Sequence, residues 1–202
     1  MDDACGQVRL VVGLGNPGPA YRRTRHNVGF MVLTALRERW DFGRGRSKFH
    51  ARLWRGAIGG RATMLLAPQT YMNRSGLAVS EAAAFYKIAA DRMLVVMDDM
   101  ALPLGRLRAR ARGSAGGHKG LGDVMASLGV QTVPRLRIGI GPPDGLGEAV
   151  DHVLAKFAAG ERPVIDQAVR RAADAVEHWA SKGITYVMDH YNQDTNDNVE
   201  NP

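Results

Sequence analysis

The sequence predicts a single α/β domain with a mainly parallel or mixed β-sheet flanked by helices. Two observations lead there. Short apolar runs that read as buried strands (Val8–Leu14, Met93–Met97, Leu136–Gly141) alternate with longer segments of helical apolar spacing. The 202 residues contain no internal repeat and no linker-like stretch, so residues 1–191 read as one domain, large enough to bury roughly 70% of its unfolded surface.

Strand Val8–Leu14 carries no charge after Arg9, as expected for a strand covered on both faces. It stops at Gly13-Leu14-Gly15-Asn16-Pro17-Gly18. After a basic linker, Asn27 is placed to cap a helix reaching about Arg39. Lys48–Trp54 alternates in polarity and reads as a half-exposed strand. A turn at Ile58-Gly59-Gly60-Arg61 leads into Ala62–Ala67, which Pro68 halts. The loop Gln69–Gly76 follows, with Ser75 placed to cap a helix to about Lys87.

Met93–Met97 ends abruptly in Asp98-Asp99. Arg106, Arg108, Arg110 and Arg112 then recur with a period of two, which would place all four on one face of a strand over Leu107–Arg112. The glycine-rich Gly113–Gly120 leads into a helix to about Leu128. After Leu136–Gly141 the chain reads as helical, over Glu148–Phe157 and Pro163–Lys182. Asn192–Pro202 is polar and reads as a disordered acidic tail.

Composition narrows the function classes. No apolar run approaches the roughly 20 residues of a membrane span, and the acidic MDDACGQ start lacks a signal-peptide core. A single cysteine, Cys5, excludes an internal disulfide and fits a reducing cytoplasm. The six histidines form no HxxxH pair or Cys/His cluster, so no metal site is expected. Net charge is +7, distributed as +12 through Asp144 and −5 beyond it. An arginine-rich body points to a polyanion such as nucleic acid.

Gly13–Gly18 matches G-x-G-x-x-G, but Pro17 and Pro19 interrupt it and the helix opens about eight residues too late to receive a pyrophosphate. Gly113–Gly120 is not a P-loop, because His118 separates Gly117 from Lys119. Without a G-x-S-x-G elbow, hydrolysis here calls for water activated by a base, and His26 is the best-placed base. The carboxyl rim of an α/β sheet gathers strand-end loops. It would bring Asn16 and His26 toward Asp98 or Asp99, either of which could orient the imidazole. If the strand persists, these two acids point to opposite faces. Asn16 and Asn73 are amides able both to donate to an oxyanion and to accept from an N–H. The four arginines fit a phosphate track better than a merely charge-protected edge.

GLGNPGPAYRRTRHNVG, QTYMNRSG, VVMDDMALPLG, GSAGGHKGLGD and RLRIGIGPP together resemble the bacterial-type peptidyl-tRNA hydrolase family, in its order and spacing through residue 143. The resemblance implies a monomeric α/β enzyme with a twisted mixed (mainly parallel) β-sheet and without metal or organic cofactor. It would cleave the ester joining a peptide, or an N-blocked amino acid, to the 3′-terminal ribose of tRNA. His26 matches the catalytic base, Asp98 its carboxylate, and Asn16 the asparagine that recognises the peptide backbone. Tyr21, Tyr71 and Asn73 match residues lining the site for the tRNA acceptor stem and CCA end. Arg110 and Arg137 match positions that clamp tRNA phosphate. Lys119 stands where the family usually has an asparagine that binds tRNA and places water; lysine keeps donors but loses the amide acceptor. The acidic tail is a second departure. A non-catalytic RNA-binding relative is the alternative from another class, and a generic esterase is the third.

Overall fold

A computed structural model describes residues 8–143 and 149–193. Its centre is a seven-stranded sheet in the order β2-β3-β4-β1-β5-β7-β6. The strands are β1 (Arg9–Gly13), β2 (Arg46–Lys48), β3 (Ala51–Ile58), β4 (Arg61–Pro68), β5 (Met93–Asp99), β6 (Leu107–Arg110) and β7 (Arg135–Gly139). β4, β1, β5 and β7 run parallel, whereas β2, β3 and β6 pair antiparallel at the two sides. The mixed sheet expected from sequence is therefore present.

Six helices among the described residues surround it: α1 (Val28–Arg39), α2 (Ser75–Tyr86), α3 (Lys119–Leu128), α4 (Ala149–Leu154), α5 (Arg162–Lys182) and α6 (Ile184–Tyr191). Alternation within β1 separates two cores. Val11 packs with residues of α1, α5 and α6, while Leu10 and Val12 pack with residues of α2 and α3. None of the described helices is long and apolar enough to cross a membrane.

β1 is the switch point of this topology. The chain places β4 on one side of β1 and β5 on the other, so the loops after their carboxyl ends open a crevice where ligands bind in such sheets. The fit at the end of β1 is tight. A Cβ on Gly29 would lie 2.5 Å from the Leu14 carbonyl oxygen, and one on Gly13 would lie 2.6 Å from the Gly29 oxygen. Only glycine at both positions lets α1 start against the strand end.

Four local expectations are corrected. Lys48–Trp54 is not one strand: Phe49 and His50, both at positive φ, turn the chain between β2 and β3. Aromatic residues at such a turn give no glycine or asparagine signal. The arginine strand stops at Arg110, so only Arg108 and Arg110 are its exposed arginines. Arg106 instead donates to the Asn192 carbonyl. Asn192 itself does not belong to a loose tail. Its side-chain oxygen accepts from Ala109 N–H at 2.6 Å and its amide donates to the Ala109 carbonyl at 3.1 Å, so it pairs with the open edge of β6. Residues 194–202 of the expected tail lie outside the described residues. Finally, neither Asn27 nor Ser75 caps its helix by side chain. Asn27 turns back toward Asn16, and the Ser75 hydroxyl donates to the Met72 carbonyl.

Candidate active site

A cleft of about 700 Å³ opens at the carboxyl rim and is lined by Asn16, His26, Tyr71, Asn73, Asp98, His118, Lys119 and Arg137, with apolar residues of α4. His26 sits in a 3-10 turn, Arg25–Asn27, ahead of α1. Asp98 is the penultimate residue of β5 and is 2% exposed. The strand persists through Asp99, so the two acids diverge. His26 Nδ1 lies 2.8 Å from Asp98 Oδ1, and Asp99 pairs with Arg137 instead.

His118 is the site residue that the sequence reading missed as such. Its Nε2 lies 3.1 Å from the same Asp98 oxygen. Its Nδ1 accepts from Leu121 N–H at 3.2 Å, capping α3. A backbone N–H can only donate, so Nδ1 carries the lone pair and Nε2 the proton. Burial alone would raise the Asp98 carboxyl, but hydrogen bonds from His118 and His26 outweigh it and hold the group well below the ordinary carboxylate range. An ionised carboxylate accepts only, so His26 also donates through Nδ1 and keeps its lone pair on Nε2.

The ligand-type atoms of His26, Asp98 and His118 lie within 4.8 Å of one another. A metal on His118 Nε2 would force a proton onto Nδ1, where the Leu121 N–H already points. The cluster is built for protons rather than for an ion.

Asn16 is fixed from both ends. Its N–H donates to Asn27 Oδ1 at 2.8 Å, and its carbonyl accepts from Asn27 Nδ2 at 2.9 Å. Met72 N–H donates to Asn16 Oδ1 at 2.8 Å, which fixes the orientation of the amide. The Asn16 oxygen is thereby engaged, while its NH₂ has no hydrogen-bond partner among the described residues. The double-function role expected for Asn16 narrows to that of a donor.

Met72 opens a second 3-10 turn, Met72–Arg74, which carries Asn73 on the cleft wall. Tyr71 is exposed and meets Tyr21 edge-on, with ring centroids 6.3 Å apart. Tyr21 thus stands behind the wall rather than in the lining. Lys119 is the first residue of α3, directly after His118, and is exposed.

Arg110 is not part of this cleft. It lies in an adjoining hollow of about 180 Å³ with Arg135 and Arg137. Arg135, 2% exposed, donates to the Gly113 carbonyl at 2.9 Å and so holds the glycine loop that leads to His118. Burial, and the charges of Arg137 and Arg110, lower its pKa. The period of two marks Arg110 and the family resemblance marks Arg110 and Arg137, but neither singles out Arg135, whose alternation with Arg137 looks like ordinary strand periodicity.

The profile of the family described as Peptidyl-tRNA hydrolase matches residues 10–199. The chain belongs to the peptidyl-tRNA hydrolase family. It is 45% identical over 185 residues to a peptidyl-tRNA hydrolase of Synechocystis sp., covering 91% of this chain and 95% of that one. It is 44% identical over 184 residues to one of Carboxydothermus hydrogenoformans, covering 91% and 98%. The fold agrees with the crystal structure of peptidyl-tRNA hydrolase from Acinetobacter baumannii, at a TM-score of 0.86 and 35% identity, over 93% of this chain and 95% of that one. Membership in the peptidyl-tRNA hydrolase family makes this chain an enzyme of the hydrolase class, with the cleft at the sheet rim as its candidate active site.

Proposed function

We propose that this protein hydrolyses the ester between a peptide, or an N-blocked amino acid, and the 3′-terminal ribose of tRNA. We further infer that it acts as a monomer in the cytoplasm and that residues 1–191 form one functional domain. The observation that carries the reading is the shared Asp98 oxygen: with His26 and His118 both donating to it, His26 Nε2 is left as an oriented base in the cleft.

In this mechanism His26 Nε2 takes a proton from water as that water attacks the ester carbonyl. Asp98 stabilises the imidazolium that forms. Asn73 donates to the developing oxyanion. The imidazolium then protonates the departing ribose 3′-oxygen, restoring neutral His26. Asn16 NH₂ donates to a carbonyl of the peptide.

Tyr71, backed by Tyr21, flanks the CCA end, while Lys119, Arg110 and Arg137 meet phosphates without reading sequence. Among the described residues, the two carboxylates lining the cleft are engaged, Asp98 by two imidazoles and Asp99 by Arg137. Neither is left to attract the ammonium of an unblocked aminoacyl-tRNA, which supports discrimination in favour of blocked substrates. Non-catalytic RNA binding gains no support from a site whose base, carboxylate and donors are all assembled.

The test is release of N-acetyl-aminoacyl groups from tRNA, measured beside the same tRNA bearing a free amine. Fast release from the blocked substrate alone is expected. Equal release from both, or none from either, contradicts the reading.

A further inference from the structure

Arg25 precedes His26 in the same 3-10 turn, yet its side chain turns away from the cleft and is 9% exposed. Its guanidinium meets Glu161 in a two-armed fork, Nη1 to Oε1 at 3.0 Å and Nη2 to Oε2 at 2.8 Å. Its centre lies 4.9 Å from the Phe157 ring centroid. The Ile140 carbonyl, just past β7, accepts from Nη1 at 3.4 Å.

The backbone repeats the connection. Arg25 N–H donates to the Ala155 carbonyl at 2.9 Å, and Thr24 forms an antiparallel bridge with Lys156. Glu161 Oε2 also accepts from Ala158 N–H at 2.7 Å. One carboxylate thus ties together the turn bearing His26 and the segment leaving α4. That helix sets Val150 and Leu154, two exposed apolar side chains, on the cleft wall.

Neither Arg25 nor Glu161 lines the cleft, so neither is placed to touch the reacting ester. Their pairing matters through geometry. A planar fork fixes orientation as well as distance, which a single point contact cannot. Removing Glu161 leaves the buried Arg25 charge uncompensated, so its surroundings rearrange. Ester hydrolysis tolerates little of this, since a displacement of about 1 Å can cost about 100-fold in rate.

We propose that Glu161 is a positioning residue for the hydrolysis inferred above. Acting through Arg25, it locks the His26 turn and the root of α4 into one unit, and so sets the spacing between the base and the apolar wall of the cleft.

The test compares Glu161→Ala, Glu161→Gln and Arg25→Lys with Asp174→Ala, a variant that breaks the exposed pair between Arg39 and Asp174 elsewhere on α5. Steady-state hydrolysis of N-acetyl-aminoacyl-tRNA is measured at a temperature where each variant is folded. NMR of the His26 ring N–H donated to Asp98 is recorded in parallel.

Glu161→Ala is expected to lower kcat by about 30-fold, with KM changed less than about threefold and the His26 ring signal moved. Arg25→Lys keeps the charge without the fork and is expected to lose kcat similarly. Glu161→Gln, which can still accept from Ala158 N–H, is expected to be intermediate, and Asp174→Ala unchanged. A Glu161→Gln or Glu161→Ala protein with kcat within about twofold of wild type and an unmoved His26 signal overturns the proposal. So does an equal loss in Asp174→Ala. A wild-type protein without hydrolysis would instead overturn the functional reading, and the His26 signal alone would then decide the role of Glu161.

Discussion

His118 Nε2 and His26 Nδ1 donate to the same oxygen of Asp98, at 3.1 Å and 2.8 Å, and the two rings lie 5.3 Å apart. One buried carboxylate oxygen therefore sets the tautomer of one histidine while a second histidine, itself fixed by the start of α3, helps to keep that oxygen ionised.

Asp98→Asn removes the obligate acceptor, so His26 no longer has to keep its proton on Nδ1. Turnover is expected to fall by about 10³- to 10⁴-fold, the scale seen when a carboxylate–histidine pair loses its anion. A stability signature accompanies it. The folded-state pKa of Asp98 lies below its unfolded value, so its ionisation contributes stability above the ordinary carboxylate range. That contribution is lost as pH falls through the folded value. Urea unfolding of wild type and Asp98→Asn between pH 7 and pH 3 is expected to show wild type losing more stability toward the acid end.

His118 does two jobs that two substitutions separate. His118→Ala loses both the donor to Asp98 and the cap on Leu121 N–H. Turnover should fall by at least about tenfold, with about 1 kcal/mol of stability lost with the cap. His118→Asn can still cap α3, so thermal unfolding should return toward wild type while turnover stays low.

Asn16→Asp tests which atom of the amide faces substrate. The carboxylate still accepts from Met72 N–H, so the fold is retained, but the NH₂ donor is gone. A loss of about 10- to 100-fold in kcat/KM is expected, the scale of a lost hydrogen bond combined with a charge set against a carbonyl. A variant with wild-type kcat/KM would show that the donor is not used.

The arginines are expected to differ in salt response. Arg110→Ala should weaken tRNA binding and reduce the slope of log K against log salt by about 1. Arg137 is already paired with Asp99, so Asp99→Asn should strengthen tRNA binding at low salt. That gain should fade at high ionic strength, where exposed charges are screened. Filter binding across a salt series checks both.

Much of this was legible in the sequence, and where it was not, the reason is physical. β1, β5 and the long α5 announce themselves by apolar periodicity because both sheet faces are covered. The β2–β3 turn does not, because Phe49 and His50 occupy positive φ where glycine or asparagine would have signalled it. Residue order alone allows Asp98 or Asp99 to orient His26, with Asp98 singled out by the family resemblance; the register of β5 with β7 carries the strand through both and so turns Asp99 to the other face. His118 had a signal, a histidine after two glycines at a helix start, but that signal was spent on excluding a P-loop. Asn27 was expected at a helix cap, as its position suggests. Its pairing with Asn16 depends on how the intervening loop folds back, which local spacing does not encode.

We assign the role of base to His26, oriented by Asp98. Single-turnover hydrolysis of N-acetyl-aminoacyl-tRNA by wild type and His26→Ala, with tRNA binding measured on the same preparations, tests it most directly. Removal of most turnover, by at least about 100-fold, with binding nearly intact is the predicted result. Near-wild-type turnover in His26→Ala would contradict it.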